Sequence, residues 1–267
     1  MSVTASDIIL YQAELRPAND TDPVGGKDGT TEITDTTIGE FLPHFRANAA
    51  GGADRIQYQK CCLKCDHTSD TFYDPVVWLP YSIDDLTAAG VLKFQFDDTA
   101  DATNSSLYII GQDASGDPQT ETLAIGGVDT LVSGSKTWNS GAGGVLEVMV
   151  KATDTGALKD LADGDVIIYD DATNEIGKIF DGNHSAHGNL YLWLEGTINA
   201  DTTSDNRLTA PGGASWGKPR KVADAFACAD DIDAGEYQGM WLKQILYAGM
   251  SNISDGDLRI AFYGADE

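Results

Sequence analysis

Apolar residues recur at every second position over much of this chain, and stretches of helical spacing are almost absent. Successive side chains leave a strand on opposite faces, so alternation marks a half-buried strand. Val91-Leu92-Lys93-Phe94-Gln95-Phe96 alternates cleanly, and Val145 to Val150 and Pro75-Val76-Val77-Trp78-Leu79 read as strands too. Leu107 to Ile110 and Thr120 to Ile125 flank Asp113-Ala114-Ser115-Gly116, which predicts a hairpin. Val166 to Tyr169 and Ile176 to Phe180 flank residues 170–175 and predict a second. In Leu190 to Glu195 the three leucines share a face, and Gly239 to Ile245 and Leu258 to Phe262 are further strands. Ile83 to Ala89 reads as one or two helical turns stopped by Gly90. The pattern predicts an all-β chain of antiparallel β-sandwich modules with little helix.

The start of the chain looks different. Residues 1–40 carry one apolar patch, Ile8-Ile9-Leu10-Tyr11, then a polar stretch with Pro17, Pro23, Gly25, Gly26 and Gly29, and a Thr- and Ile-rich segment from Thr30 to Ile38. Such a stretch has little apolar surface to offset ordering entropy, so an extended N-terminal arm is expected, gaining order on a partner.

Composition narrows the function. Of 267 residues, 17 are Lys or Arg and 42 are Asp or Glu, a formal charge of −25. That charge repels phosphate and anionic lipid, so neither nucleic acid nor a membrane is an expected partner. No apolar run approaches the roughly 20 residues of a spanning helix. The first residues lack a basic and then apolar export signal, so synthesis in a cytoplasm is expected.

Four cysteines are too few for a disulfide scaffold. Three of them, Cys61, Cys62 and Cys65, crowd just before His67. Cys62, Cys65 and His67 have the spacing of half a zinc site, which Cys228 or the pair His184 and His187 would complete. A strand here places Cys61, Leu63 and Cys65 on one face and Cys62, with Lys60 and Lys64, on the other, so Cys62 and Cys65 point apart. Buried free thiols are the plainer reading, with thiols that crosslink neighbouring subunits as a further alternative. No metal or cofactor is expected.

Other chemistry is thin. His184 and His187 lie between Gly182 and Gly188 and read as loop residues. Acidic turns at Asp97-Asp98, Asp163-Gly164-Asp165, Asp170-Asp171, Asp230-Asp231-x-Asp233 and Asp255-Gly256-Asp257 offer oxygens to calcium, but none matches the twelve-residue calcium loop. Trp78, Trp138, Trp193, Trp216 and Tyr191 are candidates for a sugar-stacking platform, and equally for core. Phosphate-loop and dinucleotide motifs are missing, and no catalytic residue is assigned and no enzyme activity is expected.

Three stretches carry a resemblance. Val3 to Tyr11 continuing to Val24-Gly25-Gly26, Ile109 to Gly116 with Glu121-Thr122-Leu123 and Val132 to Thr137, and Asn206 to Pro211 with Gly239 to Lys243 together resemble structural proteins of tailed-bacteriophage virions. A K-N-T-H segment opens the last module in that family, and Lys64-Cys65-Asp66-His67-Thr68 departs from it. The resemblance implies an arm over 1–40, a discontinuous β module from 41–90 and 190–267, and an inserted β module over 91–189. It also implies a virion component, made in the host cytoplasm, that binds capsid, neck or tail subunits and its own copies. The charge favours a decoration or collar protein at the head exterior or neck, since like charges keep particles apart. A tail or baseplate component is the alternative, and a carbohydrate-binding or -cleaving spike is the alternative of another class.

Overall fold

The computed structural model describes residues 3–16, 20–34, 52–142, 144–248 and 260–265. Strand makes up 48% of the described residues and helix 4%, which bears out the β class. The first strands are β1 Ile8–Leu15, β2 Val24–Glu32, β3 Arg55–Cys65, β4 Tyr73–Trp78 and β5 Lys93–Phe96, followed by the single-turn helix α1 Thr99–Ala102. Next come β6 Ser105–Gln112, β7 Pro118–Ala124, β8 Val132–Ser133, β9 Val145–Ala152, β10 Val166–Tyr169 and β11 Glu175–Ile179. The last are β12 Ser185–His187, β13 Leu190–Leu194, β14 Thr203–Ser204, β15 Phe226–Ala227, β16 Tyr237–Leu246 and β17 Ala261–Ala265.

These strands form four sheets, ordered β13-β16-β3-β1-β2-β14, β11-β10-β5-β8, β12-β9-β6-β7 and β15-β4-β17. Every named strand pair is antiparallel. Four separate sheets suggest a propeller-like arrangement, where the sequence pattern points to a sandwich.

Both predicted hairpins form, as β6–β7 and β10–β11. Within the first, Asp113 Oδ1 accepts from the backbone N–H groups of Ser115 and Asp117, so the acidic residue closes its own turn.

Two expectations are corrected. The described part of the N-terminal segment is no arm: β1 lies inside the six-stranded sheet, bonded to β3 on one side and β2 on the other. Ile8 joins the core and Leu10 packs against it, while β2 is held through its backbone despite its polar side chains. The segment from 35 to 40 lies outside the described residues, as does Leu258. The second correction concerns Ile83 to Ala89, which is not helical. Ile83 N–H donates to His187 O and Asp84 N–H to Ile176 O, and Leu86 bridges Gly141. Cross-chain partners take the backbone groups that a helix would use.

Apolar side chains gather mainly in two clusters. One joins Phe94 and Phe96 on β5, Val166 and Ile168 on β10, Leu107 and Ile109 on β6, Val148 and Val150 on β9, and also Ile83, Leu86 and Trp138. The other joins Cys61, Leu63 and Cys65 on β3, Leu190, Leu192 and Leu194 on β13, Met240 and Leu242 on β16, and Val77 on β4. A smaller cluster lies between them, where Ile110, Leu146 and Met149 meet Tyr191, Ile245 and Tyr247.

Candidate functional site

The cysteine strand β3 sits between β1 and β16, so both its edges are bonded and both its faces covered. Cys61 and Cys65 pack with Leu63 in one cluster, as alternation predicts, and Cys62 points to the opposite face beside Lys60. All three are buried free thiols. Burial pushes the Cys62 and Cys228 thiols up to about 12 and raises Cys61 and Cys65 as well, so the nucleophilic thiolate is suppressed. His67 lies in the turn after β3, where its Nδ1 accepts from the backbone N–H groups of Asp70 (2.9 Å) and Ser69 (3.3 Å). Cys62, Cys65 and His67 are therefore not brought together. Among the described residues, no group of three or more His, Cys, Asp or Glu side chains is placed to hold a metal ion.

His184 lies in a loop, as expected, but His187 does not. Residues 185–187 form β12, which pairs with β9 and sets His187 directly opposite Glu147. His187 Nδ1 lies 3.8 Å from Glu147 Oε1 and its Nε2 3.4 Å from Ser185 Oγ. This is the Ser–His–carboxylate order of a hydrolase, which the sequence pattern missed because Glu147 sits inside an apolar run. All three residues are buried on the sheet face that carries Met149, which packs into the seam with Tyr191 and Ile245. Burial, with a further push from the His184 charge, lowers His187 to about 4, so the ring is neutral at neutral pH. His184 itself pairs with Asp160 at 2.7 Å.

The acidic turns bind their own backbone. Asp98 caps α1, accepting from Ala100 N–H and Asp101 N–H. Buried Asp101 accepts from the N–H groups of Ala162 (2.8 Å), Asp163 (3.1 Å) and Gly164 (3.0 Å), and Asp97 accepts from Asp165 N–H. At the other end of α1, Lys159 Nζ donates to the carbonyls of Ala100, Asp101 and Thr103. Asp170 accepts from Asn174 N–H and its side-chain amide. At Asp97, Asp98 and Asp170, oxygens offered to calcium in the sequence are thus engaged by turns and caps, while Asp255-Gly256-Asp257 lies outside the described residues.

The aromatic candidates divide. Trp138 is fully buried in the first cluster and Trp78 lies on β4, away from the rest. Tyr191, Trp193 and Trp216 do come together, on the face of the six-stranded sheet opposite the leucines. Tyr58 and Trp241 join them because register aligns Lys60 with Trp241 and Trp193 with Trp241 across β3, β16 and β13. Ring centroids lie 5.4 Å apart for Tyr58–Trp216, 6.2 Å for Trp193–Trp216 and 6.5 Å for Trp193–Trp241. Trp193 and Trp216 stay half-buried, and Lys243 Nζ lies 4.4 Å over Tyr191. Buried Lys218 Nζ also lies 4.4 Å over Tyr191, pairs with Asp85 and donates to the carbonyls of Ile83 and Gly188. It ties the aromatic face to the segment that leads out of β4.

Beneath the rings lies a fully buried ion pair, Lys60 Nζ to Glu195 Oε1 at 2.8 Å. Trp241 Nε1–H donates to the same oxygen (2.8 Å), and Lys60 Nζ also donates to Ala200 O (2.8 Å). Two glycines make the room. A Cβ on Gly239 would stand 1.9 Å from Glu195 Oε2, and one on Gly25, which has φ +107°, would stand 2.8 Å from the Trp241 ring. Sequence reasoning placed Lys60 only on the Cys62 face; nothing in it linked a lysine on one strand to a glutamate 135 positions later.

No protein-family model, no curated protein and no solved structure matches the chain.

Proposed function

We propose that the protein is a non-enzymatic structural subunit of a tailed-phage particle. It binds other virion proteins and its own copies, as an accessory protein of the head exterior or neck. The reading starts from the resemblance in the sequence. The observation that supports it best is the burial of three sets of chemically capable groups: Ser185, His187 and Glu147 in the seam, Lys60 and Glu195 under tryptophans, and the clustered thiols inside a sheet. What remains outside is a polar, acidic surface on an all-β frame, suited to recognition and to keeping particles apart. Within this reading the sheets pair face to face as sandwiches. Side chains from β5, β10 and β11 share one core with those of β6, β9 and β12, and side chains from β3, β13 and β16 share another with β4. Mass spectrometry of purified particles tests the proposal. The chain should be present at a fixed ratio to the capsid protein, and its absence would end the virion reading.

A tail or baseplate position is the second placement, which immunolabelling of the same particles separates from the head. The half-buried Trp193 and Trp216 beside Lys243 favour a different class, a carbohydrate-binding spike. A glycan array without hits and no hydrolysis of host polysaccharide dismiss it.

A further inference from the structure

We propose that Lys60 and Glu195 are joined by an intramolecular isopeptide bond, closing a covalent strap across β16. The sheet order β13-β16-β3 places Lys60 on β3 and Glu195, one residue past β13, on either side of β16, to which Glu195 N–H still bonds through Gly239 O. The amine nitrogen lies 2.8 Å from one carboxylate oxygen, so the carboxyl carbon is only a C–O bond further on, about 1.2 Å. The two groups converge over one point, the place a Cβ of residue 239 would fill. Glu195 Cδ lies 2.5 Å from it and Lys60 Cε 3.0 Å. Gly239 leaves that space open, and the sheet holds both reactants at bonding range, which removes most of the entropic barrier of a bimolecular condensation.

Burial supplies the driving force. Both side chains are essentially solvent-free, at 0% and 1% exposure, and a pair of charges in such a place is poorly solvated. Glu195 Oε2 is buried and has no hydrogen-bond partner among the described residues. It is the atom placed to leave. In the reaction one proton passes from the Lys60 ammonium to Oε2, and the freed lone pair of Nζ attacks Cδ to form the C–N bond. The negative charge that develops on Oε1 meets the Trp241 Nε1–H already bonded to it. A second nitrogen proton then reaches Oε2, the Cδ–Oε2 bond breaks, and one water departs. Ammonium and carboxylate become a neutral amide and water, with no oxidant or reductant involved. The remaining amide N–H keeps its acceptor, Ala200 O, and the carbonyl keeps Trp241.

The test uses the purified full chain and does not depend on virion membership. Its intact mass, after allowance for the initiator methionine, should fall below the sequence mass by one water. Trypsin should fail to cut after Lys60 and should release a branched peptide joining residues 56–64 to residues 179–207. Lys60→Arg, whose guanidinium keeps the charge and does not condense, should restore the full mass and run more slowly on a denaturing gel than the strapped chain. A wild-type chain of full mass, or one that has lost water but is still cleaved after Lys60, overturns the proposal.

Discussion

Substituting Gly239 by alanine probes the Lys60–Glu195 site with one added methyl. In the present backbone that methyl would sit 1.9 Å from Glu195 Oε2, against the 3.4 Å at which ordinary contact begins. As the variant folds, before any amide can form, the carboxylate must retreat by about 1.5 Å, which breaks its 2.8 Å contacts to Lys60 Nζ and Trp241 Nε1, blocks condensation and leaves both groups charged. Leaving a buried charge without its partner costs about 3–5 kcal/mol, and overpacking alone about 1–3 kcal/mol. The first outweighs the second, so Gly239→Ala should lower stability by about 3–5 kcal/mol in urea unfolding followed by tryptophan fluorescence. Gly196→Ala is the matched control: it adds the same methyl next to Glu195, where nothing lies within 4 Å, and should change stability by less than about 0.5 kcal/mol. In a Glu195→Ala background the obstacle is gone, and Gly239→Ala should add less than about 1 kcal/mol. Equal effects of Gly239→Ala and Gly196→Ala in the wild-type background would refute the steric account.

Removing residues 1–34 takes out β1 and β2 and leaves one edge of β3 unpaired, so the truncated chain should lose its cooperative thermal transition; a folded truncated protein would contradict the sheet order. Chelation by EDTA should leave the melting temperature unchanged, and Cys61, Cys62 and Cys65 should react with a thiol reagent only after unfolding. For His187, the folded value of about 4 lies below the ordinary 6.5, so the unfolded chain binds the extra proton first. Stability should therefore be complete above about pH 6.5 and fall by up to about 3 kcal/mol as pH drops toward 4, with Glu147 and His184 as the facing titratable groups. His187→Gln should flatten that slope, and an unchanged slope would place the acid sensitivity elsewhere.

Alternation made most strands legible in the chain, because a strand with one wet face writes its geometry into every second residue. The placement of Cys61, Leu63 and Cys65 on one face came from that rule alone and holds. It fails where the backbone does the holding. β2, with the sequence Val24-Gly25-Gly26-Lys27-Asp28-Gly29-Thr30-Thr31-Glu32, reads as a polar lead-in, yet it is a strand because β1 bonds to it. The candidate site was hidden for a related reason. Lysine and glutamate ordinarily signal solvent, and the tryptophans that cover Lys60 and Glu195 come from strands far apart in the chain. Only the three-dimensional register shows that residue 60 lies opposite 241, and 241 opposite 193.

The position of β3 between an early strand and a very late one sets the order in which this chain can fold as it leaves the ribosome. Its partner β1 is already made when β3 emerges, but β16 is synthesised about 170 residues later. At a typical elongation rate of about 5–20 residues per second, β3 waits roughly ten to thirty seconds with one edge open. The sheets built from residues 93–187 are complete before that edge is filled. During the wait the cysteine strand presents bare N–H and C=O groups together with apolar side chains, the combination that invites pairing with a second nascent chain. Expression slowed by lower temperature or assisted by a chaperone that shields strand edges should raise the soluble yield, and the segment most in need of cover is Arg55–Cys65.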